Sequence, residues 1–124
     1  SSGVALETEL TFGPLFIEGD LFALNRVYRN LITNALRATP PRGRIAIRTR
    51  REHEEAVIEI ADTGPGVPER ARAHLFEAFR SSTRAGGSGL GLAIAAELVR
   101  AHGGDIALVD TGPGGSTFRF TLPL

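Results

Sequence analysis

The sequence predicts an α/β protein, a two-layer α/β sandwich in which a mixed, mostly antiparallel sheet packs on helices. Three observations predict it. Two segments carry apolar residues at helical spacing, paired neighbouring segments alternate as strands do, and the elements run strand, helix, two strands, helices, two strands. The 124 residues suit one compact domain without repeats or linkers. Ser1-Ser2-Gly3 reads as a cloning remnant, which leaves 4–124 as the domain.

Val4 to Phe12 is extended in character and stops at the Gly13-Pro14 turn signal. Asp20 is a good N-cap for the next segment. There Leu21, Leu24, Val27, Tyr28, Leu31, Ile32, Ala35 and Leu36 form one apolar stripe, ended by Thr39-Pro40-Pro41. Ile45, Ile47 and Thr49 alternate with Arg44, Arg48 and Arg50, a strand with one wet face. Arg51 to Glu55 turns the chain into a second strand, Ala56 to Asp62, broken by Thr63-Gly64-Pro65-Gly66. A short helix is expected from Glu69 to Phe79, then a polar, glycine-rich stretch from Arg80 to Ser88 with the character of a mobile cover. A second long helix from Gly89 to His102 stops at Gly103-Gly104. Asp105 to Asp110 and Ser116 to Leu122 form a closing hairpin, with Phe118, Phe120 and Leu122 on one face.

Composition narrows the function classes. Hydrophobic residues at 42% and charged residues at 23% support a packed core rather than disorder. A net charge of zero argues against direct nucleic-acid binding. Without cysteine there is no disulfide framework or thiolate metal site, and His53, His74 and His102 show no metal-ligand spacing. No apolar run approaches the ~20 residues that span a bilayer. All 14 basic residues are arginines, so the lysine of a Walker-type phosphate loop is absent and a nucleotide must be held in another way.

Three patterns point to such a nucleotide. At ~100° per residue, Asn30, Asn34 and Arg37 share one face of the first long helix, opposite its apolar stripe. Asparagine is a poor choice for an exposed helix interior, but its amide oxygen suits Mg²⁺ that carries phosphate oxygens, and an arginine one turn on can fork onto phosphate. Asp62, at a strand end before Gly64 and Gly66, is a carboxylate acceptor that matches the exocyclic amine of adenine and repels the guanine oxygen. Gly86-Gly87-Ser88-Gly89-Leu90-Gly91 costs helix stability, each glycine by ~1 kcal/mol against alanine. The run makes sense where backbone N–H groups must approach a polyanion at a helix N-terminus.

Together these segments resemble the ATP-binding catalytic domain of bacterial two-component sensor histidine kinases. Asn30-Leu-Ile-Thr-Asn34-Ala-Leu-Arg37 looks like the N box, Asp62-Thr-Gly64-Pro-Gly66 the G1 box, and Phe76-Glu-Ala-Phe79 the F box. Ser88-Gly89-Leu-Gly91-Leu resembles the G2 box, and Gly112-Pro-Gly-Gly115-Ser-Thr117-Phe the last glycine motif. The match covers nearly the whole chain in family order. It implies the Bergerat fold, with Asn34 and Asn30 on Mg²⁺ and Arg37 on phosphate. It implies Asp62 reading adenine over a floor of Gly64 and Gly66, and Gly87, Gly89 and Gly91 wrapping the phosphates. Phe79, Arg80, Ser88, Leu90 and Thr117 belong to the same implied nucleotide set, and residues 80–88 would be its lid. Two positions depart from the family: Ala38 stands where an aromatic often packs on adenine, and Arg80-Ser81 follows the F box where an aromatic and a basic residue are usual.

Hydrolytic relatives resembling this fold carry a water-activating glutamate where this chain has Asn30, and an amide is no general base. A neutral imidazole needs less activation, which favours transfer to histidine. None of the three histidines has a phosphoacceptor context. The resemblance therefore implies an acceptor on a separate dimerisation domain of the same kinase and a downstream response regulator. It also implies a cytoplasmic domain that is monomeric alone and dimeric within its parent. The second reading is a nucleotide-binding regulatory module without transfer, a degenerate kinase or an anti-sigma-like regulator.

Overall fold

The computed structural model describes residues 3–10, 19–77 and 90–124. Five strands, β1 (Ala5–Leu10), β2 (Arg44–Glu52), β3 (Glu55–Asp62), β4 (Asp105–Gly112) and β5 (Gly115–Pro123), form one sheet in the order β1-β2-β3-β5-β4. β1 pairs with β2 in parallel and every other pair is antiparallel, so the sheet is mixed as expected. Helices α1 (Leu21–Ala38) and α3 (Gly91–Ala101) pack on one face, and α2 (Glu69–Arg72) lies between β3 and α3 in sequence. Among the described residues no helix is long and apolar enough to cross a membrane.

The core lies between this helical layer and the sheet. Val27, Leu31 and Ala35 of α1 and Leu92, Ala95, Ala96 and Val99 of α3 are buried against Ile45, Ile58, Ile60, Phe118, Phe120 and Leu122. Period-2 alternation decides the strand contribution: every second residue of β5 is buried, and Ile60 faces Phe118 while Ile58 faces Phe120 across the β3–β5 ladder. Tyr28 meets Phe120 edge-on at 5.8 Å. The apolar stripe of α1 is narrower than its sequence suggests. Leu21 and Leu36 are 78% and 41% exposed, because Leu21 opens the helix and Leu36 lies at the stripe's outer edge.

One end of the helix pair is tied by polar bonds. Asp20 caps α1 by accepting from the N–H groups of Phe22 (2.9 Å) and Ala23 (3.3 Å), as its position predicts. Its own N–H donates to Nε2 of His102 at 3.0 Å, while Nδ1 of that ring lies 2.8 Å from the Leu98 carbonyl. Through both ring nitrogens His102 is a clasp between the start of α1 and the end of α3.

The expected helix from Glu69 to Phe79 is shorter. Only Glu69–Arg72 is α-helical, and the chain continues through turns in which Ala71 N bonds Pro68 O, His74 N bonds Ala71 O and Glu77 N bonds His74 O. Pro68 supplies no side-chain cap, and these i to i+3 bonds replace the α pattern while still burying Leu75. Residues 78 and 79 lie outside the described residues, as do 11 and 12 at the end of the expected first strand. The second long helix starts at Gly91, two residues later than expected.

The other sheet face carries an ion network. Glu59 Oε2 accepts from Arg119 Nε (2.9 Å) and Nη2 (2.7 Å), with Arg50 Nη1 at 3.3 Å. Burial acts to raise the Glu59 pKa, but the hydrogen bonds from Arg119 and Arg50 outweigh it and hold the carboxyl below its ordinary value. A carboxyl with a lowered folded pKa stabilises the fold above its unfolded pKa and loses that contribution as pH falls through the folded one. Glu59→Gln should therefore cost about 1 kcal/mol at neutral pH, allowing for solvent screening, and flatten the loss of stability on acidification. Thermal denaturation over a pH series checks this; parallel curves for both proteins would contradict it.

Candidate functional site

Asn30, Asn34 and Arg37, the loop after Asp62, and Gly91, the described end of the glycine run, all lie along α1. Asn30 donates through Nδ2 to the carbonyl of Gly91 at 3.0 Å, which joins the middle of α1 to the first residue of α3. A Cβ at Gly91 would meet only the Asn30 Cβ, 4.0 Å away, among the described residues. Packing within those residues therefore does not demand glycine there, whereas close approach of a ligand to the backbone does. One turn further along α1, Asn34 Nδ2 is buried without a hydrogen-bond partner among the described residues. Such an orphan costs about 1–3 kcal/mol and marks a place where a ligand or water completes the site. Arg37 follows in the last turn of α1 with its side chain exposed.

The loop after β3 rests directly on this end of α1. Asp62 is buried, at 5% exposure, and its Oδ1 accepts from the N–H groups of Gly64 (2.9 Å) and Ser116 (3.3 Å). A side chain at Gly64 would come within 2.5 Å of the Ala38 carbonyl, so glycine is what lets the loop lie against the helix terminus. Gly66, at φ +90°, passes against the Gly112 backbone, which also requires glycine. Beside it Val67 N donates to Thr111 Oγ1 (2.8 Å), whose hydroxyl lies 2.8 Å from Ser116 Oγ. The loop is thus pinned to α1 on one side and to the β4–β5 hairpin on the other.

Ser116 was not among the residues singled out in the sequence; Thr117 was. Register separates the two. Asp62 pairs with Ser116, and Thr117 pairs with Ala61, so Thr117 occupies the sheet face opposite the Asp62 carboxylate. The hydroxyl beside Asp62 belongs to Ser116, which is buried. Leu90 holds the N-cap position of α3 and bonds Ile94 N through its carbonyl. Phe79, Arg80, Gly87, Ser88 and Gly89, and with them the expected lid at 80–88, lie outside the described residues.

The residues present fit a magnesium-bearing nucleotide better than a bare metal. Among the described residues no group of three or more His, Asp and Glu could hold an ion. A cation brought in with its own phosphate oxygens needs only neutral amide oxygens from the protein; at Asn34 the unsatisfied Nδ2 is a donor that suits a phosphate oxygen, which leaves Oδ1 of the same amide as the atom for a cation. His53 sits in the β2–β3 turn at φ 56°, His74 lies 2.9 Å from Glu77 Oε2, and His102 has both nitrogens engaged.

The model of the histidine kinase-, DNA gyrase B-, and HSP90-like ATPase family matches residues 19–124. This chain belongs to that family. It is 43% identical to the sensor protein DivL of Caulobacter vibrioides over 121 residues, 98% of this chain and 16% of that protein. It is 43% identical to the signal transduction histidine-protein kinase/phosphatase MprB of Mycobacterium sp. strain KMS, covering 86% of this chain and 22% of that one. The chain thus spans about a fifth or less of the curated relatives it matches. Among solved structures, a mycobacterial sensor histidine kinase MprB aligns at TM-score 0.84 and 35% identity, over 98% of this chain and 84% of that one. The catalytic domain of the histidine kinase ThkA aligns at TM-score 0.88 and 28% identity, over 98% and 80%. Full-length ShkA, solved in complex with AMPPNP, aligns at TM-score 0.84 and 31% identity, over 98% and 26%. The mixed five-stranded sheet on helices is the Bergerat fold of histidine kinase catalytic domains.

Proposed function

We propose that this chain holds Mg·ATP as the catalytic domain of a sensor histidine kinase and passes the γ-phosphate to a histidine outside residues 1–124. The observation that carries this reading is the buried, unpartnered amide of Asn34. It lies on the helix that Asn30 ties to the start of α3 and that the Asp62 loop abuts. Asn34, with Asn30 beside it, would hold Mg²⁺, which when bound neutralises phosphate oxygens around the transferred group. Arg37 supplies a cation at the phosphates, and Asp62, with Ser116 in place of Thr117, reads the adenine amine above Gly64 and Gly66. Gly91 and the preceding glycines offer backbone N–H groups to the phosphate chain.

Asn30 also separates transfer from hydrolysis. Its nitrogen is committed to the Gly91 carbonyl, and an amide cannot take a proton from water at neutral pH. The domain positions the nucleotide and stabilises charge, and the attacking imidazole of the acceptor needs less activation than water, its N–H proton passing to solvent after transfer. The partners are the histidine-bearing dimerisation segment of the same kinase and a response regulator, with this domain on the cytoplasmic side. The isolated chain should bind Mg·ATP and release phosphate at no more than the background rate. Calorimetry with a phosphate-release assay tests this; steady turnover would make the chain a hydrolase.

A further inference from the structure

α3 begins without the devices that usually fix a helix start. Leu90 holds its N-cap and makes no side-chain bond, and its first turn contains no acidic residue. Its leading N–H groups are therefore left for an outside acceptor such as phosphate. Apolar packing resists sliding of α3 along α1 only weakly, because it is non-directional. Two of the four buried residues of α3 are alanines, Ala95 and Ala96 beside Leu92 and Val99, which offer small ridges. The hydrogen bond from Asn30 Nδ2 to the Gly91 carbonyl, 3.0 Å long and partly buried, is directional and sits at the first residue of α3. A helical carbonyl bonded to the residue four positions on keeps a second lone pair, so this bond costs the helix nothing.

We infer that Asn30 is a positioning residue: through Gly91 it fixes where the N-terminus of α3 stands along α1, and so where that terminus meets the phosphates. The inference rests on the Mg·ATP reading. It gives the nitrogen of Asn30 a role of its own, separate from any contact of its oxygen with the cation. Gly91 is the last glycine of the run and the first residue of α3, so the tie acts where the backbone approaches the ligand. A Cβ at Gly91 would stand 4.0 Å from the Asn30 Cβ and meet nothing else among the described residues. The polar bond, and not close packing, therefore holds these two residues together. The neighbouring amides divide the work: Asn30 is engaged with the protein, and Asn34 Nδ2, one turn on, is buried and open to a ligand. The far end of α3 is held independently by His102 and Asp20, so loss of the Asn30 bond should loosen the ligand end alone.

Two substitutions isolate the nitrogen, because both remove the amide oxygen and only one restores a donor. Asn30→Leu has no donor, whereas Asn30→His carries an N–H at ring Nδ1, the same number of bonds from the backbone. The chain is measured at pH 8, where an imidazole is neutral. Asn30→Leu should weaken ATP binding about ten-fold, leave adenosine binding within about two-fold, and speed amide exchange in residues 91–94 but not in 95–101. Asn30→His should restore the exchange protection and bring ATP affinity back to within about three-fold of the unsubstituted chain. In the parent kinase, Asn30→Leu should also lower the labelling rate at saturating ATP about ten-fold, a loss that weaker binding alone does not produce. Equal impairment of the two variants would assign Asn30 to the cation alone and overturn the inference. Faster exchange throughout α1 and α3 would make the bond a matter of stability only and overturn it too. If the unsubstituted chain bound no ATP, the Mg·ATP reading itself would fall and this inference with it.

Discussion

Asn34→Ala is expected to reduce phosphoryl transfer by about 100-fold or more, equivalent to ~2.7 kcal/mol of transition-state stabilisation. The loss follows from position. Asn34 stands one turn beyond Asn30, and its amide is the buried side-chain group left without a partner among the described residues. Removing it takes away the neutral ligand for a phosphate-bound cation and adds no compensating group. The fold should survive, since Val27, Leu31 and Ala35 carry the helix–sheet contacts and Asn34 carries none of the apolar burial. Mg²⁺-dependent ATP binding should weaken, while adenine binding without Mg²⁺ persists. Titrations with and without Mg²⁺ measure both. The same Mg²⁺ dependence in variant and parent would remove Asn34 from the metal site.

The second large effect concerns base recognition. Asp62→Ala would delete the adenine acceptor and also the Oδ1 that fastens Gly64 and Ser116, so it mixes recognition with loop damage. Asp62→Asn separates the two, because an amide oxygen still accepts from both N–H groups while the other atom becomes an NH₂ donor. A donor facing the adenine amine is repelled, and one facing the guanine oxygen is not. ATP affinity should fall about 10–100-fold, as for loss of a hydrogen bond to a charged group, and the preference for ATP over GTP should shrink or invert. Calorimetric titration of both nucleotides decides it. Parental ATP affinity and selectivity in the variant would place adenine recognition elsewhere.

The sheet and the helix faces were legible because their signals are local and periodic. The alternation of β5 and the buried run of β3 could be read directly, as could the capping of α1 by Asp20. What escaped depends on contacts distant in sequence. Thr117 and Ser116 are adjacent hydroxyl residues, and a one-residue slip on a strand exchanges the two sheet faces. The register that favours Ser116 is set 54 residues away, at Asp62. Asn30 was readable as an amide where hydrolases keep a glutamate, but its bond to Gly91 spans 61 residues and has no sequence signature. The clasp by His102 spans 82 residues, and nothing in the local context of that histidine distinguishes it. The α2 region was misread because its apolar spacing suits an α-helix equally well as a chain of three-residue turns.

The most direct test of the central claim supplies γ-labelled ATP to this chain alone and to the chain mixed with the histidine-bearing dimerisation segment of its parent kinase. Alone, the chain should bind nucleotide, label nothing and release almost no phosphate, because Asn30 cannot activate water and its three histidines lie outside any acceptor context. In the mixture a single histidine of the segment should become labelled, in an acid-labile and base-stable linkage. Steady phosphate release by the isolated chain, or an unlabelled segment despite measured ATP binding, would contradict it.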